Sequence, residues 1–357
     1  MTSPASPTRL PSRLTHALGA SDTRGWLTPV WQSLLVGTVF VAVALAGFHN
    51  PHARNVTVDV TGPAPAVRAL SMVVGRSHPG EFHFQVQGNR SAGVTRLRSG
   101  RTLGVLDLGP QPTLTYAGAN GPTVTIALTR SLVSAAAVVT GGRALVTADV
   151  LPLRTDDSAG LPLFYLAFGT VLASYLFSIT SNVVSGSLTA QGHWTSAAAL
   201  AVALALIATG IARYGTRSIG SEAPSVALLL MLASLGTSSA TWLCLRAFRS
   251  FGSIIGTVVL VILGSASGGV LPGPFLPSWL SVLRPALPMG AALGGIRDTT
   301  YFGGHHLGSA LLVLTAWAVL PVLLARRLQP RAAPAADRRS RTGRAPDAGD
   351  PAAQRPA

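Results

Sequence analysis

Six long apolar runs containing no Asp, Glu, Arg or His constrain this chain more than any other feature. They are Pro29 to Gly47, Leu161 to Val184, Ser196 to Ala212, Ala223 to Leu245, Gly252 to Leu271 and Leu307 to Ala325. At about 1.5 Å of rise per helical residue, each can cross a hydrocarbon layer roughly 30 Å thick. The chain is 48% hydrophobic and only 11% charged, and its apolar residues lie in runs where a soluble protein would show amphipathic spacing. The sequence therefore predicts a polytopic α-helical membrane protein of about six transmembrane helices. A small extracytoplasmic α/β domain stands between the first and second.

All 27 basic residues are Arg, since no lysine occurs, and the net charge is +15. In a protein of many spans such a charge sets topology and does not call for nucleic acid. Arg9, Arg13 and Arg24 precede the first span, and Arg326, Arg327, Arg331, Arg338, Arg339, Arg341, Arg344 and Arg355 follow the last. Six spans return both ends to one side, and the positive-inside rule makes that side the cytoplasm. The short loops do not settle the matter, because Arg246 and Arg249 would lie inside while Arg213, Arg217, Arg284 and Arg297 would lie outside. Ala44-Leu45-Ala46 before Gly47 also has the form of a signal-peptidase site, so cleavage after the first span is an alternative that leaves the sidedness downstream unchanged. The expected location is the plasma membrane, with many passes and both termini cytoplasmic.

The expected domains are a disordered N-terminal tail over 1–28, a first transmembrane helix over 29–47 and an extracytoplasmic α/β domain over 48–160. A five-helix membrane domain follows over 161–326, and a disordered Arg/Pro/Ala-rich tail over 327–357. In the α/β domain, Val56, Val58 and Val60 alternate with polar residues, as do Phe82, Phe84 and Val86, and as do Val124, Ile126 and Leu128. Period two predicts strands. Val67, Leu70 and Val74 fit one helical face, and Leu132, Ala136 and Val139 another. Thr102 to Leu108 reads as a central strand, with turns at Gly109-Pro110 and Asn120-Gly121-Pro122. Cys244 is the single cysteine, so no intrachain disulfide holds this domain.

Little here suggests catalysis. His78, Glu81 and His83 match no helical metal motif, and neither do His305 and His306. Asp149, Asp156 and Asp157 fit a polar linker before the second span. No Gly-x-Ser-x-Gly or His-Glu-x-x-His pattern occurs. Without lysine there is neither a P-loop nor a Schiff base, so any ATPase must be another chain. Spans without carboxylate or His also disfavour a self-sufficient proton antiporter. The expectation is a protein that is not an enzyme and needs no cofactor or metal.

The spans offer small and hydroxyl-bearing faces instead. Ser174, Ser178, Ser181 and Asn182 run down the second span, and Ser234, Thr237, Ser238 and Thr241 down the fourth, with Ser267, Gly268 and Gly269 in the fifth. Such faces serve either close helix packing or a polar translocation route. Between the last two spans, Pro272, Pro277 and Pro288 interrupt a stretch that also holds Arg284, Arg297, Asp298 and Tyr301. Repeated helix breaking in a still apolar segment predicts a re-entrant or lid-like element near 272–306. Arg284 and Arg297 suit lipid phosphate or snorkelling, and Arg297 with Asp298 reads either as a functional pair or as a boundary ion pair.

The order Ser267-Gly268-Gly269, Pro272, Leu276-Pro277, Leu287-Pro288, Arg297 and Tyr301-Phe302-Gly303-Gly304 resembles the C-terminal signature of type-2 ABC exporter permeases. More narrowly it is similar to the YhgE/Pip (phage infection protein) branch. Phe48-His49-Asn50-Pro51 with Val56 to Val60 and Gly62-Pro63 resembles the opening of that branch's external domain, and Leu161-Pro162-Leu163-Phe164-Tyr165 also fits. The resemblance implies an exporter permease-like subunit, dimeric with itself or a related chain, with a separate ATP-binding subunit and membrane lipid as partners. The connection over 185–195 is short, and its single ionisable side chain is His193, which leaves a thin docking surface for an ATPase. The other function class open to such a sequence is a non-transporting membrane scaffold or surface receptor.

Overall fold

The computed structural model describes residues 23–48, 52–154, 157, 159–184, 190–248, 251–268 and 271–328. A first helix, α1 (Thr23–Phe48), leads into an α/β unit built from β1 (Val56–Thr61), α2 (Ala64–Ser77), β2 (Phe82–Val86), α3 (Arg90–Arg98), β3 (Gly104–Asp107), β4 (Thr113–Tyr116), α4 (Pro122–Val139) and β5 (Val146–Asp149). The sheet order is β2-β1-β3-β4-β5, so β3 is central as the apolar Thr102 to Leu108 run requires. β1 pairs in parallel with both β2 and β3, β4 runs antiparallel to β3, and β5 parallel to β4.

Alternation along the strands sorts side chains to two covered faces. Val56, Val58 and Val60 with Leu106 and Leu114 meet Val67, Leu70 and Val74 of α2 and Val124, Leu128 and Leu132 of α4. On the opposite face Leu97 of α3 packs on Val105, Ala117 and Ala119. The Asn89 side chain caps α3 by accepting from the Ala92 N–H at 2.8 Å.

One expected strand is a helix. Val124 to Leu128 belongs to α4, whose buried positions Val124, Leu128, Ser131, Leu132, Ala135 and Ala136 recur every three or four residues. Ile126, which an alternating strand would bury with its neighbours, is 50% exposed. Gly121 at φ 95° turns the chain, and Pro122 opens the helix where its missing N–H costs nothing.

Among the described residues, five helices are long and apolar enough to cross a membrane, which is compatible with a multi-pass integral membrane protein. One of them is α4, whose apolar face covers the sheet. The others lie in α5 (Leu161–Val184), α6 (Ala190–Gly210) with its π-helical end Ile211–Gly215, α7 (Ala223–Phe248) and α12 (Leu307–Leu328). The expected first and fifth spans contain shorter apolar helices, Val30–Ala46 and Gly252–Ser267. The latter comprises α8 (Gly252–Gly256), a π-helical stretch Thr257–Leu263 and α9 (Gly264–Gly268). Residues 23–28 are helical and not a tail, whereas 1–22 and 329–357 lie outside the described residues.

α7 is the centre of the bundle: 61% of its apolar window is buried, against 28% for α6. It approaches α12 closely at Gly236, where a Cβ would come within 2.9 Å of the Trp317 Cβ. Between α9 and α12 the chain forms a 3-10 turn Gly273–Phe275, α10 (Ser278–Leu283), a second 3-10 turn Arg284–Ala286 and α11 (Pro288–Tyr301). Trp317 Nε1 donates to the Ala286 carbonyl at 2.7 Å. Ala286 therefore lies some ten residues along α12 from its start, roughly 15 Å.

The α/β unit has no separate core. Ala266, Leu271, Phe275, Leu276 and Leu280 are buried in the same cluster as Val56, Leu70 and Leu128. Phe302 fills the opposite face beside Leu97 and Val105. The Arg54 N–H donates to the Pro274 carbonyl and Arg54 Nη1 to the Leu276 carbonyl, each at 2.9 Å.

Candidate functional site

The hydroxyl faces of α5 and α7 meet. Ser174 and Ser178 are one turn apart on α5, as are Ser234 and Ser238 on α7, so matching turns face each other. Ser174 Oγ donates to Ser234 Oγ at 2.7 Å, Ser178 Oγ to the Ser238 carbonyl at 3.3 Å and Ser238 Oγ to the Ser174 carbonyl at 3.5 Å. All four residues are fully buried. Thr241 turns its hydroxyl to its own helix at the Thr237 carbonyl, and Thr237 Oγ1 is buried with no hydrogen-bond partner. A second face of α7 meets α12, where Ser239 Oγ donates to the Ala318 carbonyl at 3.0 Å. In this arrangement the hydroxyls form a closed helix–helix seam and line no open channel.

Other positions singled out in the sequence stand apart from that seam. Asn182 is exposed. Ser267 is buried and donates within α9 to the Gly264 carbonyl at 3.0 Å. Gly268 closes α9, and Gly269 lies outside the described residues. Ser181, half-buried, sits 3.5 Å from His193 Nδ1, the single ionisable side chain expected in the connection over 185–195, which the structure places in the first turn of α6. His193 is buried, stacked against Phe177 and Trp242 and edge-on to Trp194. Arg246 lies over the Trp242 ring at 4.8 Å. His193 and Trp194 are adjacent in sequence, but Phe177 and Trp242 come from other helices, so no local pattern announced the cluster.

The Pro-rich segment lies alongside the bundle, with Ala286 reaching Trp317 in the middle of α12. Pro272 and Pro277 each precede a short helical turn, and Pro288 opens α11, so the prolines punctuate the segment as helix starts. Arg297 and Asp298 do not pair with each other. Successive helical residues diverge by about 100°, and Asp298 turns to accept from the His306 N–H at 2.7 Å, with His306 Nδ1 at 3.3 Å. Arg297 reaches the turn before α5, where its Nη2 lies 3.9 Å from the position a Cβ would take on Gly160. Asp157 Oδ1 accepts the Gly160 N–H at 2.6 Å and the Ala159 N–H at 3.2 Å, ordering the start of α5. Arg154 bridges to Glu222 at 2.7 Å, tying that start to the loop before α7. Burial raises the Tyr301 phenol above its ordinary value, and a backbone hydrogen bond with Arg154 partly opposes the shift.

His78 pairs with Glu81 at 3.2 Å, and His305 Nδ1 lies 2.6 Å from the Phe302 carbonyl. Among the described residues no group of three His, Cys, Asp or Glu is placed to hold a metal ion. No protein-family model matches the chain, and no curated protein matches its sequence.

Proposed function

We propose that this chain is a permease-like membrane subunit of an exporter, with both termini cytoplasmic, the α/β unit outside the plasma membrane and any ATPase on a separate chain. The observation that supports this most is the α5–α7 seam. Two helices in lipid gain nothing from the hydrophobic effect by touching, and each cross-helix hydrogen bond contributes only about 0.6 kcal/mol. A hydroxyl-faced seam can therefore part and be wetted at modest cost, which a hydrocarbon-faced one cannot. The π-helical stretches Ile211–Gly215 and Thr257–Leu263, in helices that pack beside the seam, are places where register can shift. The resemblance to type-2 exporter permeases points the same way.

The test is a lock. In a Cys244→Ala background, Ser174→Cys with Ser234→Cys brings two thiols together where the hydroxyls now touch. Oxidation should stop release of preloaded amphiphilic fluorophores from proteoliposomes, and reductant should restore it. Equal release from the oxidised and reduced protein, or none from either, sinks the reading. Sidedness has its own check: Gln87→Cys in the same background should react with an impermeant thiol reagent on intact cells, and labelling only after lysis would reverse the topology.

A scaffold or receptor is the second reading, and both sheet edges favour it. β2 and β5 are terminal strands, and Val86 and Val146 are exposed on them, so each presents unpaired backbone to an added strand. It predicts that Val86→Pro abolishes capture of a partner protein while flux through the proteoliposomes stays nil.

A further inference from the structure

We propose that the cleft between α5 and α6 holds one acyl chain of an anionic phospholipid, whose headgroup lies at the turn that carries Arg213 and Arg217. The cleft encloses about 450 Å³ between the start of α5, where Leu161, Gly169 and Thr170 line it, and the end of α6 at Ile211, with Thr216 and Ser218 at its mouth. Leu161 to Thr170 is roughly 14 Å along a helix, so that volume makes a slot about 6 Å across. Half the hydrocarbon core of a bilayer is about 15 Å deep. The slot therefore runs from one membrane boundary through one leaflet, and it is too narrow to admit a helix of a second copy, which measures about 10 Å across.

The lining selects a hydrocarbon chain. Thr170 Oγ1 donates to the Leu166 carbonyl at 2.8 Å, and the Thr216 and Ser218 hydroxyls bond each other. These groups are already engaged, and a water held here would need two or more free polar partners. Gly169 and Ile211 are exposed, and a Cβ added at Gly169 would meet nothing within 4 Å, so the slot is open along its side. An empty apolar slot forfeits contacts on every wall. In a bilayer the solvent beside it is chain.

Depth and charge fix the headgroup. The apolar span of α6 ends at Gly215, so Arg213 lies two residues before that boundary and Arg217 two beyond it. Tyr165, one turn into α5, is 60% exposed, as suits the aromatic belt at the same level. Arg213 is exposed and pinned over the turn by its Nη1 bond to the Gly220 carbonyl at 2.6 Å. Arg217, also exposed, stands between the two mouth residues at φ 52°. Among the described residues neither forms an ion pair, and nearby Glu222 is taken by Arg154. Two uncompensated guanidinium groups at headgroup level favour a phosphate there. Binding of this kind requires the bundle to lie in lipid. It does not require the protein to transport anything.

The experiment uses the full-length chain, purified in a non-ionic detergent, delipidated and offered phosphatidylglycerol, phosphatidylcholine or inorganic phosphate, with bound species read by native mass spectrometry. Wild type should retain phosphatidylglycerol about tenfold better than phosphatidylcholine, and millimolar inorganic phosphate should not displace it. Phosphatidylglycerol with a diazirine in mid-chain should label residues within 161–170 and 204–212 on illumination. Gly169→Trp fills the slot from a position with room for the added side chain. It should lower retention about tenfold and remove that labelling, with helix content unchanged. Arg213→Gln with Arg217→Gln should erase the preference over phosphatidylcholine while chain labelling at saturating lipid persists, and Gly169→Trp decides the matter if that pair fails to fold. Leu312→Trp, at an exposed position on α12 outside the cleft, should change nothing. Wild-type retention and labelling in Gly169→Trp, labelling spread evenly over the exposed face of α12, equal retention of the two lipids, or displacement by inorganic phosphate would each overturn the proposal.

Discussion

The α/β unit and the helical bundle bury polar groups in opposite ways. In the α/β unit Asp59 is fully buried on the central part of the sheet, held by Arg96 at 2.8 Å, while Arg96 also reaches Gln85 at 2.6 Å. In the bundle the buried polar groups along α5 and α7 are mostly hydroxyls, and several also bond a carbonyl of their own helix, as Ser174 does at Thr170 and Ser178 at Ser174, while Thr237 Oγ1 is buried without a partner. A buried ion pair loses heavily when one partner goes, whereas a hydroxyl with a local alternative loses little. The first region is built around a few contacts that must not fail, and the second around many that can.

That contrast breaks first at Arg96. Arg96→Ala leaves the Asp59 carboxylate buried without a cation and should destabilise the α/β unit by about 4 kcal/mol, read as a lower denaturant midpoint for protection of β1 against hydrogen exchange. Next, Leu280→Ala removes a fully buried side chain that lies far outside the α/β unit in sequence but inside its core. It should cost about 3 kcal/mol, and exchange should rise in Val56–Thr61. Rise confined to residues near 280 would show that the two regions do not share a core. Ser234→Ala should cost only about 0.6 kcal/mol in thermal unfolding of the detergent-solubilised protein, and a loss several times larger would erase the difference between the regions.

The smallest effect is at Tyr301, which ends α11 and packs against both regions. Burial favours the neutral Tyr301 phenol, so its folded pKa lies above its unfolded value of about 10. The stability it contributes is fully present below that pH and lost as pH rises through the folded value. With no lysine and only five tyrosines and one cysteine in the chain, alkaline titration is uncluttered. Tyr301→Phe should therefore flatten the decline in melting temperature above pH about 10, and an unchanged slope would assign that decline elsewhere.

Much of this architecture was legible where one local period decides the outcome. Charge-free runs marked α5, α6, α7 and α12, and the valines of β1 with the Val67, Leu70 and Val74 face marked the first βα step. The reading failed where two periods coincide. Val124 and Leu128 fit a strand as i, i+4 and a helix equally well, and Pro122 with the later Ser131, Leu132, Ala135 and Ala136 series was the signal for α4. The hydroxyl faces could be drawn on each helix, but not which would meet, since the Ser174–Ser234 bond spans 60 residues. Nor could sequence separate Arg297 from Asp298: adjacency suggests a pair, and only the fold shows Asp298 turned to His306 instead.

The Arg54 contact to Leu276 joins residues 222 apart. The sheet is complete only at Asp149, 131 residues before Leu280, and a ribosome adding roughly 5–20 residues each second would take about 7–26 s to make that stretch. For that interval the freshly made sheet and its two covering helices lack their floor, a patch of bare valine and leucine waiting for α10. Biogenesis of this protein thus has a vulnerable window written into its chain order, and a truncation anywhere before Leu280 would leave it permanently open.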